Sequence, residues 1–262
     1  MPELLDALGS ARVFDLEQLR YAGAPSHPAH LPGFNYFLHR HHARGAGEAR
    51  TGASGIVVMP EHSGTHIDAL AHQAENLTLH GGVHVDEGVQ TSVGFRVLGI
   101  DTMAPLVTRG VLLDVAGPKR LEPEHLITVD ELERAAKAAH VEIREGDSVL
   151  VRTGYGALWS EPAEYLRGAG VSSGGSSWLI DKKVSAVGAD NMAWDVMGPK
   201  DPQLGVTLPG HILLLVRAGI PIIENLNLEE LAAAKVHEFA FICLPLKMRG
   251  ATGSPVRPIA LA

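Results

Sequence analysis

The stretch from position 62 to position 72, HSGTHIDALAH, combines residue types that bind metal ions. His62, His66 and Asp68 are separated by four and two residues, so an extended backbone would direct all three side chains to one face. Gly64 lies between them on that face and would leave open volume where the side chains converge. Two imidazoles and a carboxylate suit Zn, Mn or Fe(II) with coordination positions left open, as catalysis requires. The spacing therefore predicts a catalytic metal centre.

Two other interpretations of this segment compete with the metal centre. In the first, the histidines form a helical pair at i and i+4, which Gly64 and the β-branched Thr65 disfavour because both weaken a helix. In the second, they are surface or core residues without a ligand role, as isolated histidines usually are.

The same segment resembles the HxGTHxDxPxH signature of the cyclase family, which includes bacterial kynurenine formamidases, isatin hydrolases and trans-dienelactone hydrolases. Matching stretches cover most of the chain: VLVRTG at 149–154, AVGAD at 186–190, LPGH at 208–211, IIENL at 222–226 and PLKMRGATGSPVRPIAL at 245–261. The resemblance implies one compact α/β domain over residues 1–262, with a barrel-like mixed β-sheet flanked by helices. It also implies a metal-dependent hydrolase that forms homo-oligomers, either dimers or tetramers.

The resemblance further assigns individual residues to the centre. Five are implied as metal ligands: His62, His66, Asp68, His211 and Glu224. His72 is implied as the acid/base residue, and its spacing is intact although Leu70 replaces the family's usual proline. Isatin hydrolases use a single metal and lack the glutamate, so Glu224 favours a centre with two ions over one. The expected metal is Zn or Mn.

The resemblance implies hydrolysis of an amide, lactam or lactone bond, and the ligand set suits that chemistry. A bound divalent ion lowers the pKa of water from 15.7 to about 7, so hydroxide exists at neutral pH. His72 would accept a proton from water or donate one to the leaving nitrogen or oxygen. One alternative is a cyclisation or dehydration in which the metal stabilises an enolate. The other is a non-catalytic protein with a closed metal site.

Substrate contacts are predicted from residue type and proximity in the sequence. Four residues are candidates: His80, His84, Phe34 and Trp194. Further aromatic candidates are Tyr36, Phe37 and Trp159. The cluster His39–His42 is expected to be a solvated surface run, and the Gly/Ser-rich stretch at 168–177 a mobile loop. Its glycines lack the strand and spacing of a dinucleotide-binding fingerprint.

Composition limits the partners. The formal net charge of −8, from 22 basic and 30 acidic side chains, argues against nucleic acid and membrane surfaces and leaves a small-molecule substrate. Cys243 is the only cysteine, which excludes a disulfide framework and a Cys-based zinc site and favours a cytoplasmic setting. The most apolar stretch, 212–223, is too short and too interrupted to span a bilayer.

Strand and helix signals alternate along the chain, which favours α/β organisation. Strands are predicted at 55–59, 95–101, 110–116, 147–153, 184–190, 220–223, 238–246 and 254–262. Helices are predicted near the first residues, from Thr128 with a capping box to Glu131, and at 178–183, 208–218 and 227–235. These elements must bring His211 and Glu224 to the histidine segment.

Overall fold

A curled, nine-stranded mixed β-sheet forms the framework of the computed structural model, which describes residues 2–43 and 48–262. In chain order the strands are β1 (Val13–Asp15), β2 (Asn35–Arg40), β3 (Ser54–Val58), β4 (His66–Asp68), β5 (Thr78–Leu79), β6 (Val83–His84), β7 (Gln90–Thr91), β8 (Gly94–Phe95), β9 (Leu106–Asp114), β10 (Leu126–Ile127), β11 (Ser148–Arg152), β12 (Gly170–Val171), β13 (Ala186–Ala189), β14 (Ile222–Glu224), β15 (Glu238–Cys243), β16 (Gly253–Pro255) and β17 (Ile259–Leu261). The helices are α1 (Pro2–Ser10), α2 (Val129–Ala138), α3 (Pro162–Tyr165), α4 (Ser173–Asp181), α5 (Pro209–His211) and α6 (Glu229–Ala233). α5 continues directly as a π-helical segment, Ile212–Ala218.

The strand order of the sheet is β1-β17-β15-β9-β11-β13-β14-β4-β16. β9, β11, β13 and β14 are parallel neighbours, whereas β4 pairs antiparallel with both β14 and β16. The sheet curls into a half-barrel, so the expected α/β fold with a barrel-like mixed sheet is confirmed. None of the helices within the described residues is both long and apolar enough to cross a membrane.

Apolar side chains cover both faces of the central strands. Val149 and Val151 of β11 belong to a core cluster on one face, together with Leu132 of α2. Leu150, between them, belongs to the cluster on the opposite face, which includes Ile223 of β14. A parallel strand that is buried on both faces has a continuous apolar sequence, which is why the run at 147–153 predicts its strand correctly.

Helix α2 follows its local sequence signals. The Thr128 hydroxyl accepts a hydrogen bond from the backbone N–H of Glu131, and the Glu131 carboxylate accepts one from the backbone N–H of Thr128 at 2.8 Å. The predicted capping box is therefore confirmed. Local hydrogen bonds of this kind satisfy N–H groups that would otherwise lack partners at the helix start.

The Gly/Ser-rich stretch is not the loop that its composition predicts. It contains β12 and the first half of α4, whose N-cap is Ser172. The Ser172 side chain accepts from the backbone N–H of Gly175 at 3.1 Å. Gly175 is buried, and a Cβ there would meet Val171 at 2.7 Å and Leu132 at 3.1 Å. The glycine permits close helix packing, so tertiary contacts outweigh its low helix propensity.

The strand predicted at 95–101 is also wrong. Only Gly94–Phe95 is extended, as β8, and Ile100–Thr102 is a 3₁₀ turn. Leu98 adopts a left-handed backbone with φ +59°, which interrupts any strand. The strand predicted at 55–59 does form, as β3, but it pairs with β2 in a separate two-stranded hairpin. The sequence signals did not indicate β2.

Candidate metal centre

His62 and His66 reach the same site from two different local structures. Residues 62–65 form a turn, and only His66–Asp68 is extended, as β4. The prediction of one extended segment is therefore wrong for His62. Gly64 has φ +65°, and a Cβ there would meet the Arg20 guanidinium at 2.6 Å. The turn and the packing of Arg20 require the glycine, which does not open volume beside the ligands as expected.

Arg20 contacts the backbone of this turn. Its guanidinium donates to the backbone carbonyls of Ser63 and Thr65, and its Nε donates to the Glu17 carboxylate at 2.6 Å. The Thr65 hydroxyl donates to the carbonyl of Asn225, which follows β14. These contacts fix the turn against the sheet.

Strand pairing brings Glu224 to the histidine segment. In the antiparallel register of β14 and β4, Glu224 lies opposite His66. The Nε2 atom of His66 is 3.3 Å from Glu224 Oε2 and 3.5 Å from Asp68 Oδ1. Strand pairing thus sets the distance between His66 and Glu224, which are 158 positions apart in the sequence.

His211 completes the group from α5. Its Nε2 atom lies 3.2 Å from Glu224 Oε1 and 3.6 Å from Asp68 Oδ2. Its Nδ1 atom is 2.8 Å from the Asp195 carboxylate, which also accepts from the backbone N–H of Gly210. All five residues predicted as ligands are buried and adjoin one another: His62, His66, Asp68, His211 and Glu224.

The outer hydrogen bonds of His66 and His211 determine which ring nitrogen faces the carboxylates. The Nδ1–H group of His66 donates to the Gly64 carbonyl at 2.8 Å, and that of His211 donates to Asp195. In a neutral ring, Nε2 is then the nitrogen that carries no proton, and in both residues it faces Asp68 and Glu224. Ring orientation by an outer carbonyl or carboxylate is the usual arrangement of metal-binding histidines.

Two buried carboxylate oxygens, Asp68 Oδ2 and Glu224 Oε1, have no hydrogen-bond partner. A buried, unpaired carboxylate oxygen carries a large desolvation cost, which a cation removes. Donor atoms that share an ion at about 2.1 Å with tetrahedral angles lie roughly 3.4 Å apart. The distances of 3.2–3.6 Å from the two Nε2 atoms to these carboxylates match that spacing. The residues thus fit a divalent metal ion.

The pKa shifts of Asp68 and His66 also come from burying carboxylates beside imidazoles. Burial alone would raise the pKa of Asp68, but the charges of nearby histidines and the hydrogen bond from His62 hold it well below its usual range. Burial also lowers the pKa of His66, but the hydrogen bond and charge of Glu224 outweigh burial and raise it. The carboxylates stay ionised and require positive charge beside them, which either imidazole protons or a metal ion can supply.

The His72 ring lies beside two of the ligand candidates, His62 and His211. It stacks on His62 with centroids 3.9 Å apart and lies 6.1 Å from the His211 ring. Burial, together with the charges of His62 and His211, lowers the pKa of His72 to about 3, against the opposing effect of Asp68. The imidazole is therefore neutral at neutral pH, with one ring nitrogen unprotonated.

A cavity of about 150 Å³ opens onto these residues. Besides four of the ligand candidates and His72, its lining includes His27, Ala29, His30, Gln73, Met192, Ala193 and Leu208. His30 stacks on His62, with centroids 4.8 Å apart. Sequence reasoning assigned neither His27 nor His30 to the site. The high density of histidine between positions 27 and 42 was the one available signal.

The four predicted substrate-contacting residues lie outside the lining of this cavity. Trp194 is fully buried in the core, where its Nε1–H donates to Ser176 Oγ. His80 packs beside the π-helical segment with Nδ1 3.0 Å from the Val216 carbonyl. His84 is exposed on β6, and Phe34 is half-buried just before β2. Proximity along the chain did not translate into proximity in space for these residues.

The remaining aromatic and histidine candidates are also elsewhere. Trp159 is in the core, and Tyr36 and Phe37 are about half exposed on the β2–β3 hairpin. The residues from His39 to His42 are exposed, as expected of a solvated run. The Nδ1 atoms of His39 and His42 contact the Ser54 carbonyl and the Thr51 hydroxyl.

The chain is thus an α/β protein with a half-barrel sheet and a cavity lined by buried histidines and a carboxylate that could hold a metal ion. The chain belongs to the putative cyclase family, whose model matches residues 14–196. The family predicted from the segment at 62–72 is therefore confirmed.

Characterised relatives include hydrolases. The isatin hydrolase of Roseibium aggregatum is 28% identical over 214 residues, which cover 78% of this chain and 73% of that protein. The kynurenine formamidase of Bacillus cereus is 29% identical over 209 residues, which cover 78% of each. Among solved structures, isatin hydrolase A from Ralstonia solanacearum is 26% identical with a TM-score of 0.75, covering 100% of this chain and 96% of that one. A crystal structure described as a novel cyclase is also 26% identical, with a TM-score of 0.84, and covers 100% and 90% of the two chains.

Proposed function

We propose that this protein is a metal-dependent hydrolase that opens an amide, lactam or lactone bond. The observation that carries the proposal is the pair of unpartnered buried oxygens, Asp68 Oδ2 and Glu224 Oε1, among imidazoles beside a cavity that Glu224 lines. The relatives named as isatin hydrolase and kynurenine formamidase cleave bonds within this range, which supports the reaction class.

The metal would be held by His62, His66, Asp68, His211 and Glu224, as one or two ions of Zn or Mn. A divalent ion at these residues supplies a Lewis acid that polarises a carbonyl and acidifies water. His72 is the chain's own proton carrier, because its neutral ring lies at the cavity wall beside His62 and His211. It would take a proton from water and deliver it to the leaving nitrogen or oxygen.

The cavity size supports a small substrate. Its volume of about 150 Å³ is comparable to that of an engineered protein cavity that takes up benzene. The apolar side chains of Met192, Ala193 and Leu208 line it, so an apolar group of about one ring fits beside the reacting carbonyl. We also retain a cytoplasmic location and a homo-oligomer, dimer or tetramer, as parts of the proposal.

Metal analysis combined with a substrate panel tests this function. Protein purified without added metal should carry at least one divalent ion per chain. It should also hydrolyse at least one of an aryl formamide, a lactam and a lactone, lose that activity on chelation, and regain it with Zn or Mn. Oxygen-18 from solvent should enter the product. A turnover without solvent oxygen would instead indicate the cyclisation or dehydration reaction, and a chain that binds no metal contradicts the proposal.

A further inference from the structure

The third imidazole, His62, has a hydrogen-bond partner that the segment at 62–72 does not contain. Its Nε2 atom lies 2.9 Å from the hydroxyl of Thr252, the residue that precedes β16. Thr252 is in turn held by Glu61, whose carboxylate accepts from the Thr252 backbone N–H at 2.9 Å and from the Thr252 hydroxyl. Glu61, Thr252 and His62 therefore form one chain of hydrogen bonds.

The directions of these bonds fix the position of one proton. An ionised carboxylate only accepts hydrogen bonds, so the Thr252 hydroxyl hydrogen points toward Glu61. The hydroxyl oxygen is then left to accept, and its donor is Nε2–H of His62. The opposite ring nitrogen, Nδ1, lies at hydrogen-bond distance, 2.8 Å, from Asp68 Oδ1, where a metal ion would take the place of the ring proton that this carboxylate accepts.

The ring of His62 is also confined by its surroundings. Gly253, on β16, lies so close that a Cβ would meet the Cε1 atom of His62 at 2.6 Å. Because β16 pairs with β4, Gly253 is opposite Asp68 in the register. The imidazole is therefore packed directly against the backbone of this strand.

We propose that Glu61 and Thr252 make Nδ1 the metal-binding nitrogen of His62, whereas His66 and His211 bind through Nε2. Thr252 is thus a positioning residue that acts through His62. The inference rests on the proposed metal-dependent function, and it extends the centre to a residue 190 positions downstream of His62.

Metal affinity tests this role without any need for a substrate. Thr252→Val removes the hydroxyl but keeps the shape of the side chain and the backbone N–H bond to Glu61. Metal-free protein titrated with Zn²⁺ against a chelating indicator should then bind about 10–100-fold more weakly. Thr252→Ser, which retains the hydroxyl, should restore affinity to within about threefold of wild type on the same scale.

Thr102→Val is the matched control, because the Thr102 hydroxyl makes one hydrogen bond, to the Gly99 carbonyl, and lies outside the cavity lining. Its Zn²⁺ affinity should equal that of wild type. A Thr252→Val protein that binds Zn²⁺ as tightly as wild type overturns the inference and leaves the proposed function intact. A wild-type protein that binds no Zn²⁺ contradicts the proposed function itself.

The nitrogen assignment has its own readout. Histidine-ring ¹⁵N NMR of the Zn²⁺-loaded protein should show His62 bonded to zinc through Nδ1, with a proton on Nε2. The rings of His66 and His211 should carry their protons on Nδ1. Zinc bound through Nε2 of His62 would overturn the assignment whatever the affinities are.

Discussion

At the scale of single side chains, two buried carboxylates require positive charge beside them, and few side chains of the site can supply it. Asp68 and Glu224 are buried together, and no lysine or arginine lines the cavity within the described part of the chain. Charge compensation must then come from imidazole protons or from a metal ion. A variant that removes one of these carboxylates should therefore lose the metal, whereas a variant that removes His72 should keep it.

Asp68→Ala should lose both metal and turnover, because it removes the carboxylate that contacts His62 and His66. His72→Ala should keep the metal but lose about 10²–10⁴-fold in kcat, since only proton transfer is removed. Metal content by mass spectrometry, measured beside kcat, separates the two variants. His84→Ala, exposed and outside the cavity lining, is the control and should match wild type. An active, metal-loaded Asp68→Ala protein would refute the ligand assignment.

His27 offers a second test at this scale. Its Nδ1 accepts from the backbone N–H of Ala29 at 3.2 Å, which leaves the proton on Nε2 as a donor at the cavity wall. His27→Ala should raise KM for the best substrate of the panel about tenfold, the value of one lost hydrogen bond, with unchanged metal content. His39→Ala on the exposed hairpin should leave KM unchanged. A fall in bound metal would instead identify His27 as a ligand.

At the scale of elements, the strength of local signals decided which predictions succeeded. The capping box of α2 and the apolar run of β11 are formed by neighbouring residues, so the sequence predicts both. The composition of the Gly/Ser-rich start of α4 predicts a loop, which is wrong. Gly175 stands in this helix because it packs against Val171 and Leu132. Local propensity cannot anticipate such a contact.

The α2 capping box has a defined pH dependence. Burial would raise the pKa of Glu131, but hydrogen bonds from Thr128 and His125 outweigh burial and lower it. The charged form is therefore favoured in the folded state, and its stabilisation is present above about pH 4.5 and is lost as pH falls through the lower folded pKa.

Glu131→Ala should reduce the free energy of unfolding at pH 7 by about 1 kcal/mol. Denaturant unfolding should show this gap shrinking below about pH 4.5, as the wild-type carboxylate becomes protonated. Glu131→Gln preserves hydrogen-bonding atoms without the charge, so its difference from Glu131→Ala should not change with pH. A gap between wild type and Glu131→Ala that stays constant down to pH 2 contradicts this account.

At the scale of the whole molecule, the β2–β3 hairpin exposes a cluster of large apolar side chains to solvent. Six large apolar side chains on its two faces are each about half exposed: Tyr36, Phe37, Leu38, Ile56, Val57 and Val58. A separate two-stranded ribbon is only marginally stable in water. Two copies that cover each other's hairpins would remove roughly 1,000 Å² of surface, about the threshold for a specific interface. We propose this hairpin as the interface of the homo-oligomer that the family resemblance implies, which stays a prediction.

Charge on one face of the hairpin should therefore break the oligomer. Phe37 and Ile56 lie opposite each other in the register, and the double variant Phe37→Glu/Ile56→Glu should reduce the mass measured by light scattering to that of one chain. Val93→Glu, at a residue that is 88% exposed, is the control and should keep the wild-type mass. An unchanged mass for the double variant would exclude the hairpin as the interface.

The family and the candidate metal-binding segment can be recognised from the sequence alone, because the types and spacing of His62, His66, Asp68 and His72 are local properties. The sequence also indicated His211 and Glu224, although only through short matching stretches. The tertiary structure decided the geometry: the register of β14 with β4, the turn at Gly64 and the approach of Thr252 to His62. Each depends on contacts between distant parts of the chain, whose energies come from packing and burial in the folded sheet and leave no periodic pattern in the sequence.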